Sequence, residues 1–418
     1  MKEIYVEIIT IGDEILYGQT LDTNSHWISQ ELNTIGARVI RKSTIGDDRQ
    51  QMLNTLSEAA SRASIILITG GLGPTKDDLT KKILAEYFDS PIALNPQALK
   101  EVSAYFERRG RTMNALSIAQ AELPVKCQII SNTAGTAPGM WFEEGGKVFV
   151  SMPGVPHEMK TMMIERVIPR LKEKFDLPVI LHKMIKTVGI GESSLAEIIA
   201  DWEDHLPPHI RLAYLPDLGE VRLRLTAIGD SYTALEQDVG AQVQQLLPLI
   251  GDDVYGFGNT TLEEAVGQLL LNKQKTIALA ESCTGGYIAH AITRIPGSSR
   301  YFQGGIIPYH NEFKVNVLGV QEATLMEHGA VSKPTVEQMS NRIRKLMRAD
   351  IGLASSGIAG PEGGTDEKPV GTVWIALADG EQTLTQKLNL TKNRVINIEL
   401  TRVAALNMLR KYLCKAKL

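Results

Sequence analysis

Residues 276–286 read Thr276-Ile277-Ala278-Leu279-Ala280-Glu281-Ser282-Cys283-Thr284-Gly285-Gly286, and Tyr287-Ile288-Ala289 come next. The apolar run 277–280 predicts a strand, the small polar cluster and the two glycines a tight turn, and the residues from Tyr287 a helix. Such a turn lifts a hydroxyl off the sheet edge to a helix N-terminus, where unpaired backbone N–H groups can receive an oxyanion. Ser282 is therefore a candidate nucleophile. Taken alone, the same residues also read as a helix cap, because Ser and Thr are the commonest N-caps. No Gly-x-Ser-x-Gly elbow accompanies them. Downstream, the small and apolar run 304–308 leads into Tyr309-His310-Asn311-Glu312-Phe313-Lys314. A desolvated lysine loses its proton readily and can serve a serine as general base.

Outward from this unit the chain keeps alternating strand and helix. A strand over 3–11 ends in Gly12-Asp13-Glu14, and Asp22-Thr23-Asn24 caps a helix whose inner face carries Ile28 and Leu32. Strand 37–42, helix 49–63 and strand 64–69 come after it. This pattern predicts a doubly wound α/β sheet, which binds ligands beyond the carboxyl ends of its strands. The third strand opens into Thr69-Gly70-Gly71-Leu72-Gly73-Pro74-Thr75-Lys76-Asp77-Asp78. It is neither a P-loop nor a dinucleotide fingerprint, but its glycines admit a phosphate to the backbone. Asp77 and Asp78 read equally as helix caps and as ligands of a divalent cation, Mg²⁺ or a transition metal, shared with a pyrophosphate. Glycine-rich Asn132 to Gly139 and the proline turn 153–156 close this half. His157, with no histidine partner at helical spacing, reads as a surface residue.

Residues 175–178 read as a linker. Between them and residue 256 lies a small α+β segment: a strand to Val188, the turn Gly189-Ile190-Gly191-Glu192, a helix from Ser194, strands near 211–214 and 221–226, and a helix after Asp230. The glycine-rich and polar stretch 252–259 predicts a second boundary. Helix 260–271 then shows the apolar stripe Leu262, Ala265, Val266, Leu269 and Leu270. Strands are predicted at 351–355 and 372–378. A final helix over 397–413 is predicted to bury Leu400, Val403, Ala404, Met408 and Leu409.

The motif at 281–286, with Ser356-Gly357-Ile358-Ala359-Gly360-Pro361-Glu362-Gly363-Gly364 and Lys368-Pro369-Val370-Gly371-Thr372-Val373, closely resembles the C-terminal domain of the CinA family. The loops at 12–14, 22–24, 70–75 and 153–156 resemble the molybdopterin-binding-like domain that forms the N-terminal half of the same family. The resemblance implies three domains: a doubly wound α/β domain over 1–172, a KH-like connector over 173–256, and an α/β deamidase domain over 257–418. It implies nicotinamide mononucleotide deamidase activity, with Ser282 as nucleophile, Lys314 as base, Tyr309 as a further catalytic group and Thr284 lining the site. Gly285, Gly286, Gly357, Gly360, Gly363, Gly364 and Arg394 are the implied substrate-binding residues. For the N-terminal half it implies metal-dependent ADP-ribose pyrophosphatase activity. There Gly12, Asn24, Gly70, Gly71, Gly73 and Thr75 meet the substrate, and Asp77 and Asp78 hold the metal. No metal is required at the deamidase site.

The bulk properties agree with such an enzyme. The chain has 418 residues, 43% hydrophobic and 22% charged, enough for two or three cored domains. A net charge of −4 speaks against a nucleic-acid-coating protein, and Glu192 makes the connector's loop a poor phosphate clamp. Cys127, Cys283 and Cys414 lack metal or redox spacing, as in a reducing cytoplasm. No secretory segment or membrane span is predicted. The expected partners are small-molecule nucleotides and a second copy of the chain. Other classes stay open at this level: a pterin-cofactor-binding module, a competence-related regulator, and, more narrowly, a thiol mechanism through Cys283.

Overall fold

The computed structural model describes residues 4–73, 75 and 78–415. It divides into two compact units, residues 1–181 with 228–235, and residues 182–227 with 236–418.

In the first unit, β1 (Tyr5–Ile11), α1 (Thr23–Thr34), β2 (Arg38–Ile45), α2 (Arg49–Arg62) and β3 (Ile65–Thr69) succeed one another as the hydrophobic pattern predicts. Asp22 caps α1 by accepting a hydrogen bond from Ser25 N at 2.9 Å. The helix α3 (Thr80–Tyr87) comes after the glycine-rich loop. Beyond it lie β4 (Gln128–Ile130), β5 (Gly139–Glu144), β6 (Lys147–Met152) and α4 (Pro156–Met162). The six-stranded sheet has the order β2-β1-β3-β6-β5-β4. The first four strands run parallel, and β5 pairs antiparallel with both its neighbours, β6 and β4. Apolar residues fill both faces, Ile8, Leu67 and Val150 on one and Ile9, Ile66 and Phe149 on the other. That two-sided burial explains why the inner parallel strands β1, β3 and β6 are largely apolar, whereas the edge strand β2 carries Arg38, Arg41 and Lys42 and is mostly exposed or half-buried.

The connector contains β7 (Val179–Val188), α5 (Glu192–Asp204), β8 (Ile210–Asp217), β9 (Glu220–Gly229), α6 (Tyr232–Ile250) and β10 (Val254–Phe257). Its sheet has the order β8-β9-β7-β10. The stretch read as a boundary therefore contains a strand, β10, which pairs antiparallel with β7 around an irregularity at Gly256. Glycine and the flanking turn residues hide its short apolar run from a pattern reading.

The C-terminal part begins with α7 (Leu262–Asn272), opened by a capping box between Thr261 and Glu264. Then come β11 (Ile277–Glu281), α8 (Tyr287–Thr293), β12 (Phe302–Ile306), α9 (Asn311–Asn316), α10 (Lys333–Leu346), β13 (Ile351–Gly357), β14 (Thr372–Ala378), β15 (Thr383–Asn389) and α11 (Arg394–Lys415). The sheet order is β12-β11-β13-β14-β15. β11 lies parallel to both neighbours, with Ala280 opposite Ile306 and Glu281 opposite Ser355. Parallel pairing brings the carboxyl ends of three strands to one edge of the sheet. On α11, Leu406, Leu409 and Leu413 are buried with Val403. The face predicted from sequence is corrected at Leu400, Ala404 and Met408, which are only half-buried and line a cavity of about 660 Å³ between α11, β15 and the Gly189 turn. Among the described residues no helix is long and apolar enough to cross a membrane.

Candidate active site

At the shared strand edge, the Ser282 N–H donates to Ser355 O at 2.9 Å, extending the β11–β13 ladder into the turn. Thr284 Oγ1 and Ser355 Oγ are 2.7 Å apart. Ser282 and Thr284 thus share surroundings, while Cys283 between them belongs to the apolar core that also contains Ile288 and Val266. Burial pushes the Cys283 thiol up to about 12. A thiol held neutral in a core is a poor nucleophile at neutral pH. The arrangement favours the serine.

Lys314, on the short helix α9, is only 2% exposed. Its Nζ lies 2.9 Å from Pro308 O, 3.3 Å from Tyr309 O and 3.2 Å from Ser282 Oγ. The two carbonyls can only accept, so they take two of the amine's hydrogens. The remaining direction faces the serine hydroxyl. Desolvation lowers the Lys314 pKa, which favours the neutral amine with its lone pair toward Ser282.

Around this pair, Arg394 Nη2 donates to Tyr309 Oη at 2.7 Å and Nη1 to Gly360 O at 2.9 Å. Asn397, fully buried, holds that corner together. Its amide donates to Ala359 O and Thr391 O, and its Oδ1 accepts from Thr391 N and Oγ1. Gly357, Gly360 and Gly364 are in close contact with Val373 or Val370, where a Cβ would come within 2.5–2.7 Å. Gly363 has more room, with Ile358 Cγ2 3.8 Å from such a Cβ. Gly286 is left-handed at φ 94°, and a Cβ there would sit 2.8 Å from Ile307 Cδ1. These positions give the loop its shape. Arg394→Ala should raise KM for an anionic substrate about tenfold with kcat changed less, because its guanidinium bonds Gly360 O and Tyr309 Oη and not Ser282 or Lys314. An unchanged KM would remove Arg394 from the binding site.

The turn departs from the expected oxyanion arrangement. The Gly285 N–H donates to Ser282 O, and the Tyr287 N–H to Thr284 O. The N–H groups of Ile288 and Ala289 donate to the buried carboxylate of Glu281. The start of α8 is therefore occupied by the protein itself. Among the described residues, no hydrogen-bond acceptor faces the N–H groups of Thr284 or Gly286. Glu281, Ser355 and Asn397 escaped the reading of the sequence. Glu281 directly precedes Ser282, and a carboxylate closing an otherwise apolar strand was the available signal.

In the first unit, Gly12, Gly70, Gly71 and Gly73 line a cavity of about 380 Å³ with Asp78. Gly70, at φ 116°, has no room for a Cβ, which would lie 2.2 Å from Ile11 O. Asn24 lies behind these loops, its amide donating to Gly154 O at 2.7 Å and to Thr69 Oγ1 at 3.2 Å. The fold corrects the metal expectation. Among the described residues, no group of three or more His, Cys, Asp or Glu side chains is placed to hold a metal ion. The Asp78 carboxylate accepts from the N–H groups of Gly73 and Thr75 and from the Thr75 hydroxyl, so it closes the turn and occupies Thr75 as well. Asp77 lies outside the described residues. His157 is exposed, as expected.

Three family models cover the chain in order: a probable molybdopterin binding domain over residues 7–173, the CinA KH domain over 182–256, and the CinA C-terminal domain over 259–413. A CinA-like protein from Cytophaga hutchinsonii is 50% identical over 414 residues, covering 99% of each chain. The chain belongs to the CinA family. A second CinA-like protein, from Flavobacterium psychrophilum, is 44% identical over 410 residues, covering 98% of each chain. The solved structure of a CinA superfamily protein from Klebsiella pneumoniae is 36% identical, covers 37% of this chain and 96% of its own, and has a TM-score of 0.36. Family membership and the geometry at Ser282 thus concern the same CinA C-terminal domain.

Proposed function

We propose that the C-terminal domain of this CinA-family protein hydrolyses the carboxamide of nicotinamide mononucleotide, giving nicotinate mononucleotide and ammonia. The observation that carries the reading is the Lys314 amine, held by two carbonyls with its third direction on Ser282 Oγ at 3.2 Å. Neutral Lys314 takes the hydroxyl proton as Ser282 Oγ bonds to the carboxamide carbon. The resulting oxyanion is received by the N–H groups of Thr284 and Gly286. Lys314 then returns its proton to the leaving nitrogen, the C–N bond breaks, and ammonia departs from an ester on Ser282. Water, deprotonated by the same amine, attacks that ester. The new acid is released and the serine regains its proton.

Arg394 and Tyr309, at the rim, are assigned to the substrate's phosphate and ribose, and Thr284 to the orientation of the carboxamide. The three free thiols suit a cytoplasmic setting. Pyrophosphate cleavage is not assigned to the N-terminal domain, whose described residues offer no cluster for the metal that such cleavage was expected to use.

The direct test is ammonia release from nicotinamide mononucleotide by the purified full chain, followed by a coupled glutamate dehydrogenase assay. Stoichiometric ammonia and nicotinate mononucleotide are expected. No ammonia from this substrate, at enzyme concentrations sufficient for a single turnover, would reject the reading.

A further inference from the structure

The helix after the nucleophile lacks an ordinary cap. Its N-cap is Gly286, which has no side chain to offer the first-turn N–H groups. Glu281, five residues earlier and at the end of β11, supplies the missing acceptors. Its Oε2 accepts from Ile288 N at 3.0 Å and its Oε1 from Ala289 N at 2.7 Å. The carboxylate is buried, with the residue 2% exposed. At its own end of the turn, Ser282 N is held by Ser355 O. One side chain therefore spans the whole turn, from the strand on which the nucleophile stands to the helix beyond it.

We propose that Glu281 is a positioning residue for Ser282, an internal anion that braces the turn and occupies the first turn of α8. The inference rests on the deamidase reading for its substrate, but not for its geometry. The brace has two effects. The hydroxyl of Ser282 is kept in register with the Lys314 amine, because the turn can no longer pivot on its glycines at 285 and 286. The substrate's oxyanion is directed to the N–H groups of Thr284 and Gly286, because those of Ile288 and Ala289 already have an anionic partner. A serine or aspartate at the N-cap could satisfy the same helix, but neither would tie it back to β11.

Glu281→Gln keeps the shape and loses one acceptor. Its amide can accept one of the two N–H groups and presents NH₂ to the other. In the full-length protein the expected result is a kcat for nicotinamide mononucleotide about 10–100-fold lower with KM changed less than about threefold, since ground-state contacts are untouched. A purely structural role would lower the amount of folded enzyme without this split, so rates are referred to active sites titrated with a fluorophosphonate. The rate of Ser282 phosphonylation should fall in parallel with kcat. A kcat and phosphonylation rate within twofold of wild type would overturn the proposal, even with deamidation intact. Conversely, a wild-type protein that leaves nicotinamide mononucleotide untouched but is phosphonylated at Ser282 in a Glu281-dependent way would defeat the substrate reading and uphold the brace. Should the variant not fold, amide exchange in the wild type decides. Ile288 and Ala289 must be protected, and exchange of both at the rate of an unstructured chain would sink the idea.

Discussion

Ser282→Ala is expected to lose about 10⁴-fold or more in kcat for nicotinamide mononucleotide, because it removes the atom proposed to carry the acyl group. Binding should survive, since the hydroxyl is small and the rim residues remain, so substrate added to the variant should still raise its melting temperature. Cys283→Ala is the paired control. Its thiol lies in the core, with a pKa pushed up to about 12. The alanine variant should keep most activity and lose about 1 kcal/mol of stability or somewhat more, as expected for a small buried apolar group. Trapped acyl-enzyme on Cys283, or near-native deamidation by Ser282→Ala, would move the chemistry to the thiol.

Lys314 should be nearly as sensitive. Lys314→Ala removes the proposed base and is expected to lower kcat/KM about 10²–10⁴-fold. Lys314→Arg retains a cation but cannot accept a proton, and its planar fork does not suit the site between Pro308 O, Tyr309 O and Ser282 Oγ. It should fail as badly. The wild-type rate profile carries the further test. The proposed mechanism requires the unprotonated amine, and burial lowers its pKa from the usual value of about 10.4. The acid limb of kcat/KM should therefore rise with pH through a value below about 10.4 and be absent from the residual activity of Lys314→Ala. Stability has the same sign. Between the folded-state pKa and the higher unfolded one, the unfolded chain binds the extra proton, so this group makes the fold more stable as pH rises. A limb that persists unchanged in Lys314→Ala would assign the titration to another group.

The opening β-α-β-α-β run of the first unit and the strands Ile277–Glu281, Ile351–Gly357 and Thr372–Ala378 were legible, because burial leaves apolar strands and periodic helices, whereas β12, α10 and β15 escaped the reading of the sequence. Ser282 and Lys314 were legible as residue types in an apolar setting. Their contact was not, being 32 positions apart in the chain. It exists because β11 and β12 run parallel with Ala280 opposite Ile306, so that the residues after each strand emerge side by side. Ser355 arrives by the same logic on the other flank, opposite Glu281. The strand at Val254–Phe257 and the half-buried residues Leu400, Ala404 and Met408 were misread for a related reason. What covers a short edge strand or one stripe of a helix is settled by distant segments.

Asp78 shows the limit most plainly. Beside a glycine-rich turn, a carboxylate is chemically equal to a metal ligand and to a cap, and local sequence does not distinguish them. In the folded turn its oxygens meet Gly73 N, Thr75 N and the Thr75 hydroxyl. Glu281 is the converse case, inconspicuous in sequence and bonded in the fold to two amides seven and eight residues away. Local periodicity and intrinsic chemistry marked many of the strands and helices and the side chains that could act as nucleophile and base. Folding settles which carboxylates are already occupied, which amine is desolvated and which N–H groups remain open. The carboxylates are settled by how each turn closes, Asp78 on residues three and five positions away and Glu281 on residues seven and eight away, whereas the Lys314–Ser282 contact needs strand pairing across 32 positions.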